Sequence, residues 1–286
     1  MPTETLPVAK LGNTRVTGKE QYYTPKPLAI ELVAHIEKLL GPLKGKTVLE
    51  PAGGTGAFID AVQAVGVAKV ISFDIEPLHG HVSLGNFLEQ KITENSLITI
   101  SNPPFGRNNS LSIPFFNHAA PVSDAICFIV PRSWRKWSVT NRLDLEFQLA
   151  LDLDIEIDYV DSEELPLSSK NYLATCFQIW KRTANPRSVI RVIDKGIIEK
   201  VSPGQADVSL TIFGYGCGKV KTEFEPVANT TQMFLKLHHP KALAALESVD
   251  YSKFFKNTAY TEALSLQEIN YLLNEEIYGD PMIEGM

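Results

Sequence analysis

The chain has 286 residues, 44% apolar and 21% charged, with a formal net charge of −6. This length and balance predict one good hydrophobic core plus a smaller module, and exclude a fibrous or disordered chain. Cys127, Cys176 and Cys217 are far apart and form no CxxC pair, which points to a reducing compartment and away from structural zinc. With no basic-then-apolar leader and no apolar run near about 18 residues, a soluble cytoplasmic protein without a membrane partner is expected.

Residues 1–19 are polar and aperiodic and read as a mobile arm. Apolar residues at Leu28, Leu32, Ile36 and Leu40 then follow helical spacing, with Thr24 placed as N-cap and Pro25 at the first helical position. That start is either a simple cap or a place where the Thr24 hydroxyl and nearby amides hold a carboxylate. The segment KTVLEPAGGTGAF reads as a buried strand, a glycine turn and a helix beginning near Ala57. Glu50 stands at the strand end, and Gly53, Gly54 and Gly56 permit close approach of a ligand. A second strand, KVISFDIEP, ends in Asp74 and Glu76, where a carboxylate would meet ribose hydroxyls. Together they predict a nucleoside site; no Lys-Ser/Thr follows the glycines, so a P-loop fits less well. His79 and His81 read as a polar turn, without a third ligand for a metal. Asn86 and Phe87 follow the third strand, Phe87 as core or against an adenine ring.

The run Ile98-Thr99-Ile100-Ser101 has strand character and stops at Asn102-Pro103-Pro104-Phe105. Open parallel sheets bind ligands at that carboxyl end. An exocyclic amine must leave conjugation with its ring before it attacks a methyl group, and the Asn102 side-chain oxygen and Pro103 carbonyl can each accept one of its hydrogens. Phe105 would stack on a flipped base; the alternative is a Pro-rich loop with Phe105 in the core.

Downstream, IPFFNHAAP reads as a short helix and AICFIVP (125–131) as a fifth strand buried on both faces. Between Ala125 and Leu143 there is no acidic residue, while Arg132, Arg135, Lys136 and Arg142 accompany Trp134 and Trp137. This is either a stacking and phosphate-gripping rim or a loop with its indoles packed on neighbours. A helix through LDLEFQLAL, a strand DIEIDYVD and a strand ATCFQIWKR should complete the sheet, with Asn171 and Tyr172 in the intervening loop. Residues near 184–187 read as a linker. Beyond them, SVIRVID, DVSLTIFGYG and TQMFLKL look like strands, KALAALE and SLQEINYLL like helices, and GYGCG like a turn or bulge.

Taken in order, QYYTP (21–25), LEPAGGTGAF (49–58), FDIEP (73–77), GNF (85–87) and NPPFG (102–106) resemble the class I S-adenosylmethionine-dependent methyltransferases that modify adenine N6. The resemblance covers about residues 20–182 and is nearest to the DNA enzymes with cofactor motifs first, a group that includes restriction-modification methyltransferases. It implies a Rossmann-like α/β domain over residues 20–183, with a mostly parallel seven-stranded sheet and helices on both faces. A small α+β module over 184–286 would serve target recognition. S-adenosylmethionine would be held by Tyr23, Thr24, Glu50, Ala52, Gly53, Gly54, Gly56, Asp74, Ile75, Asn86, Phe87 and Asn102. Asn86 stands where the family usually has Asp. Asn102, Pro103, Pro104 and Phe105 would hold the target base, and Arg107, Arg132, Trp134, Arg135, Trp137 and Tyr172 would contact the nucleic-acid partner. NPPFG followed by Arg107-Asn108-Asn109 is also similar to ribosomal-RNA adenine methyltransferases, and a related NPPY occurs in protein-glutamine methyltransferases. A non-catalytic cofactor-binding subunit is a further alternative.

Overall fold

The computed structural model describes residues 22–161, 173–281 and 283–285. The chain separates into two units, residues 1–131 with 142–186, and residues 132–141 with 187–286. The expected arm at 1–19 and the loop carrying Asn171 and Tyr172 lie outside the described residues.

In the first unit, the short apolar runs form seven strands: β1 (Thr47–Glu50), β2 (Lys69–Asp74), β3 (Ser83–Leu84), β4 (Leu97–Ser101), β5 (Ser123–Pro131), β6 (Phe147–Ile155) and β7 (Thr175–Arg182). Their order is β3-β2-β1-β4-β5-β7-β6. Pairing is parallel from β3 to β5, while β7 runs antiparallel to both β5 and β6. This is a Rossmann-like α/β arrangement, a mostly parallel seven-stranded sheet in which β7 alone runs against the other strands. β4 is buried throughout and β5 nearly so, as suits strands covered on both faces.

The helix Lys26–Leu40 buries Ala29, Leu32, Val33 and Ile36, one stripe at helical spacing. With Phe58 and Val62 of the helix Ala57–Ala64, these residues join Val48, Ile98, Ile100, Cys127 and Ile129 in one core. Two local expectations are corrected. Pro25, not Thr24, caps the helix at Lys26, with no side-chain capping bond, because the Thr24 hydroxyl is engaged by Asn102. The expected helix over 143–151 is instead a turn followed from Phe147 by strand β6, which the DIEIDYVD segment only continues as far as Ile155. Along it Leu151, Leu153 and Ile155 alternate with other residues and pair with Ile179, Phe177 and Thr175 of β7, beyond a register shift between Leu149 and Leu151.

The switch in strand order falls between β1 and β4, whose neighbours were laid down in opposite directions across the sheet. Because β1, β2 and β4 are parallel, Glu50, Asp74 and Asn102 emerge at the same sheet edge, where open α/β sheets bind ligands.

In the second unit, after the short strand β8 (Ile190–Val192), β9 (Ile198–Lys200), β10 (Val208–Thr211), β11 (Val220–Lys221) and β12 (Gln232–Leu237) form an antiparallel sheet in the order β11-β10-β12-β9. Ile190–Val192 pairs separately with Ile283–Gly285. The helices Ala242–Ser248 and Leu266–Tyr278 cover a core that includes Leu210, Leu235, Leu246, Ile269 and Leu273. Ser265 and Glu268 close a capping box on the longer helix, and Gly279 ends it at φ 72°. GYGCG connects β10 to β11 as a turn with Gly214, Gly216 and Gly218 at positive φ. No helix among the described residues is long and apolar enough to cross a membrane.

Candidate active site

A cavity of about 300 Å³ opens at the carboxyl ends of β1, β2 and β4. Its lining brings together Tyr23, Thr24, Glu50, Ala52, Gly53, Gly54, Asp74, Ile75, Asn86, Phe87 and Asn102 to Phe105, all named from the sequence. Gly56 is not on the wall; it shapes the turn from behind.

Glu50 ends β1 and is 3% exposed. Its Oε1 accepts from Ser101 Oγ at 2.6 Å and from the Ala52 amide at 3.0 Å. Burial pushes the carboxyl up to about 8, with the Asp74 charge adding to the rise and the Ser101 and Ala52 bonds opposing it. No lysine or arginine pairs with it among the described residues. Ser101 is a residue the motif reading passed over; its signal is a hydroxyl at the carboxyl end of the apolar strand Leu97–Ser101.

The glycine turn approaches the protein's own side chains. Gly56 has φ 83°, and a Cβ there would meet the His79 ring at 2.4 Å. Gly54 has φ 45°, and its Cβ would meet the Tyr23 ring at 2.8 Å. Tyr23 therefore lies over the turn, and burial raises its hydroxyl above the usual tyrosine range, helped by Asp74 and Glu76. Asp74 ties the turn down: Oδ2 accepts from the Gly54 amide and Oδ1 from the Glu76 amide, each at 2.8 Å. Beside it, Ile75 is 63% exposed, an apolar surface on the cavity wall.

Asn86 caps the short turn Phe87–Glu89: its Oδ1 accepts from the Leu88 amide, and its Nδ2 donates to Glu89 Oε1 at 2.8 Å. Phe87 is 1% exposed and packs on Phe115 at 5.2 Å and on the edge of His118 at 4.8 Å. It is core and cavity wall at once.

Asn102 donates both amide hydrogens, to the Tyr22 carbonyl at 3.1 Å and to Thr24 Oγ1 at 3.2 Å. Pro103 and Pro104 follow, and the Phe105 ring is buried within the core while still lining the cavity. Arg107 is exposed on the next turn. Tyr22, Leu111 and Phe115 also line the cavity and were not singled out from the sequence.

The RSWRKW rim is corrected for its indoles. Trp134 is fully buried. Trp137 packs on Phe254 at 5.4 Å and on Tyr271 at 5.5 Å, within the second unit. The Trp134 ring has no exposed face to stack on a base, whereas Trp137 is half-buried. Arg132 and Arg135 are half-buried, and Lys136 pairs with Glu268. His79 bonds Asp60 and His81 bonds Gln63. No group of three or more metal-ligating side chains occurs among the described residues.

No protein-family model and no curated protein matches the chain. Among solved structures it is similar to a candidate RNA methyltransferase from Pyrococcus horikoshii, at 22% identity and TM-score 0.46 over 57% of this chain and 88% of that one. It is similar to a modification subunit of a candidate type I restriction enzyme from Vibrio vulnificus, at 13% identity and TM-score 0.44 over 93% and 63% of the two chains. It is also similar to TrmN from Thermus thermophilus, at 14% identity and TM-score 0.41 over 55% and 48%.

Proposed function

We propose that this chain is an S-adenosylmethionine-dependent methyltransferase acting on the N6 amine of adenine in DNA. The observation that carries the reading is one cavity that joins Glu50 and Asp74 to Asn102, Pro103, Pro104 and Phe105 at the β1/β4 switch point. When bound, the cofactor supplies an electrophilic methyl on a sulfonium.

Asp74 faces the ribose hydroxyls with carboxylate lone pairs that remain after its two backbone bonds. Ile75 and Phe87 give apolar walls for an adenine ring. Glu50, buried with no cation beside it among the described residues, favours the positive charge of the methionine portion. Thr24 and the glycine turn complete that end of the cavity. The Asn102 Oδ1 and the Pro103 carbonyl accept the two hydrogens of the target amine and turn its lone pair toward the methyl group. Orientation and hydrogen-bond acceptance carry the reaction, with no covalent enzyme intermediate. Arg107 contacts the nucleic-acid backbone, and residues 184–286 serve target recognition.

The test is labelled S-adenosylmethionine offered with double-stranded DNA, single-stranded DNA, ribosomal RNA and a cell-protein extract. Label is expected in DNA. Asn102→Ala should lower transfer by about 10²–10³-fold while calorimetry shows the cofactor still bound. Label only in RNA, or only in protein, would replace the substrate. Bound cofactor with label in none would make the chain a non-catalytic subunit.

A further inference from the structure

We propose that Thr24 is a positioning residue which, with the main-chain carbonyl of Tyr22, locks the Asn102 amide in one orientation, so that the site presents only an acceptor and selects nucleophiles that donate N–H. This rests on the reading of Asn102 as the group that holds the target amine. It gives Thr24 a task beyond touching the cofactor.

The orientation follows from chemistry. The Tyr22 carbonyl oxygen can only accept, so the Asn102 atom 3.1 Å from it is the amide nitrogen. The opposite flip would press two acceptors together. The second N–H goes to Thr24 Oγ1 at 3.2 Å. Both donors of Asn102 are thereby consumed, and Oδ1 is what remains for a substrate.

The partners are held independently of the strand that carries Asn102. Tyr23 pairs with Val160 through both backbone groups at 3.2 Å, and the Tyr22 ring packs on Tyr159 at 5.3 Å. Thr24 is 7% exposed and directly precedes Pro25, the cap of the helix Lys26–Leu40. The Tyr22 carbonyl and the Thr24 hydroxyl are thus fixed from two sides.

Two consequences set this apart from a general structural role. A neutral amine or amide can donate to Oδ1, whereas a carbonyl or carboxylate oxygen meets another acceptor there. Asn102→Asp is also not conservative, because an ionised carboxylate would turn an oxygen toward the Tyr22 carbonyl. Only the protonated acid restores that bond.

The first measurement needs no turnover. In ¹⁵N-labelled protein without ligands, the Asn102 side-chain amide, identified by its loss in Asn102→Ala, should show two protons protected from exchange. Thr24→Val should speed exchange of one of them by about tenfold, the factor for about 1.4 kcal/mol, and Thr24→Ser should restore it. Unchanged protection in Thr24→Val overturns the proposal.

The second measurement uses whichever polymer accepts label. Thr24→Val should lower kcat by about tenfold to hundredfold with little change in cofactor affinity, and Thr24→Ser should recover it. Asn102→Asp should gain activity on acidification while the wild type does not. A Thr24→Val variant that loses cofactor affinity but keeps kcat would reduce Thr24 to a cofactor contact and overturn the positioning role. If the wild type transfers no methyl group, the reading of the site fails, while the exchange measurement still decides the orientation.

Discussion

Glu50 and Glu268 are both almost inaccessible, at 3% and 2% exposure, yet their surroundings differ in kind. Glu268 meets Lys136 Nζ at 2.9 and 3.0 Å, and its Oε2 accepts from the Ser265 amide at 2.8 Å and from Ser265 Oγ at 2.9 Å. A cation and two neutral donors hold it where the helix Leu266–Tyr278 begins. Glu50 has two neutral donors on one oxygen and, among the described residues, no cation, and it faces a cavity. A buried carboxylate that is paired and saturated fastens a fold. One left without a counter-charge beside open space holds a proton or attracts a positive ligand.

The largest effect should come from breaking the paired glutamate. Glu268→Ala leaves the Lys136 ammonium without its partner and removes the capping box, so urea unfolding should show a loss of about 3–5 kcal/mol. A loss below about 1 kcal/mol would erase the distinction between the two glutamates.

Glu50→Gln should act through pH. Its folded-state value is raised to about 8, so the protonated form is the one folding favours. That contribution is fully present below the ordinary carboxylate range and is lost as pH rises through about 8. The Gln variant, which stays neutral, should match the wild type in Tm at acid pH and exceed it above pH 8 in unliganded protein. Its affinity for the cationic cofactor should fall, and wild-type binding should release a proton, read by calorimetry in buffers of different ionisation heat. Parallel Tm curves across pH would remove Glu50 from this account.

Trp137→Ala should cost about 2 kcal/mol of stability, from its contacts with Phe254 and Tyr271. Nucleic-acid affinity that falls while stability holds would return this ring to the binding surface. The smallest effect belongs to Asp74→Ala. It should raise the cofactor Kd about tenfold, about 1.4 kcal/mol, through lost ribose contacts and a loosened Gly54 turn. Unchanged affinity would confine Asp74 to bracing the turn.

Much of the candidate site was legible because its signals are short-range. A strand, a glycine turn and a following helix need only neighbouring residues, and the two prolines after Asn102 stop β4 at Ser101. The spacing from the glycines to Asp74 reflects one β-α-β unit, which local pattern also reveals. The segment at 147–155 was misjudged as partly helical because its leucines also suit a helical stripe; pairing with β7 decided for a strand. The Trp and Arg cluster was ambiguous for a different reason. Cations beside indoles suit a phosphate-gripping surface as well as a packed joint, and burial alone separates the two.

By itself, the sequence determined the α/β order of the first unit, the cavity's position at the carboxyl ends of β1, β2 and β4, and the chemical types gathered there. Each follows from periodicity, turn residues or spacing within a few tens of residues. Only the tertiary structure decided that Ser101 reaches Glu50, that Thr24 spends its hydroxyl on Asn102 instead of capping a helix, and that Trp137 packs within the second unit. These pairs lie 51, 78 and more than a hundred residues apart in sequence. Which polar or aromatic partner a side chain meets over such distances is set by strand order and packing, for which local pattern holds no record.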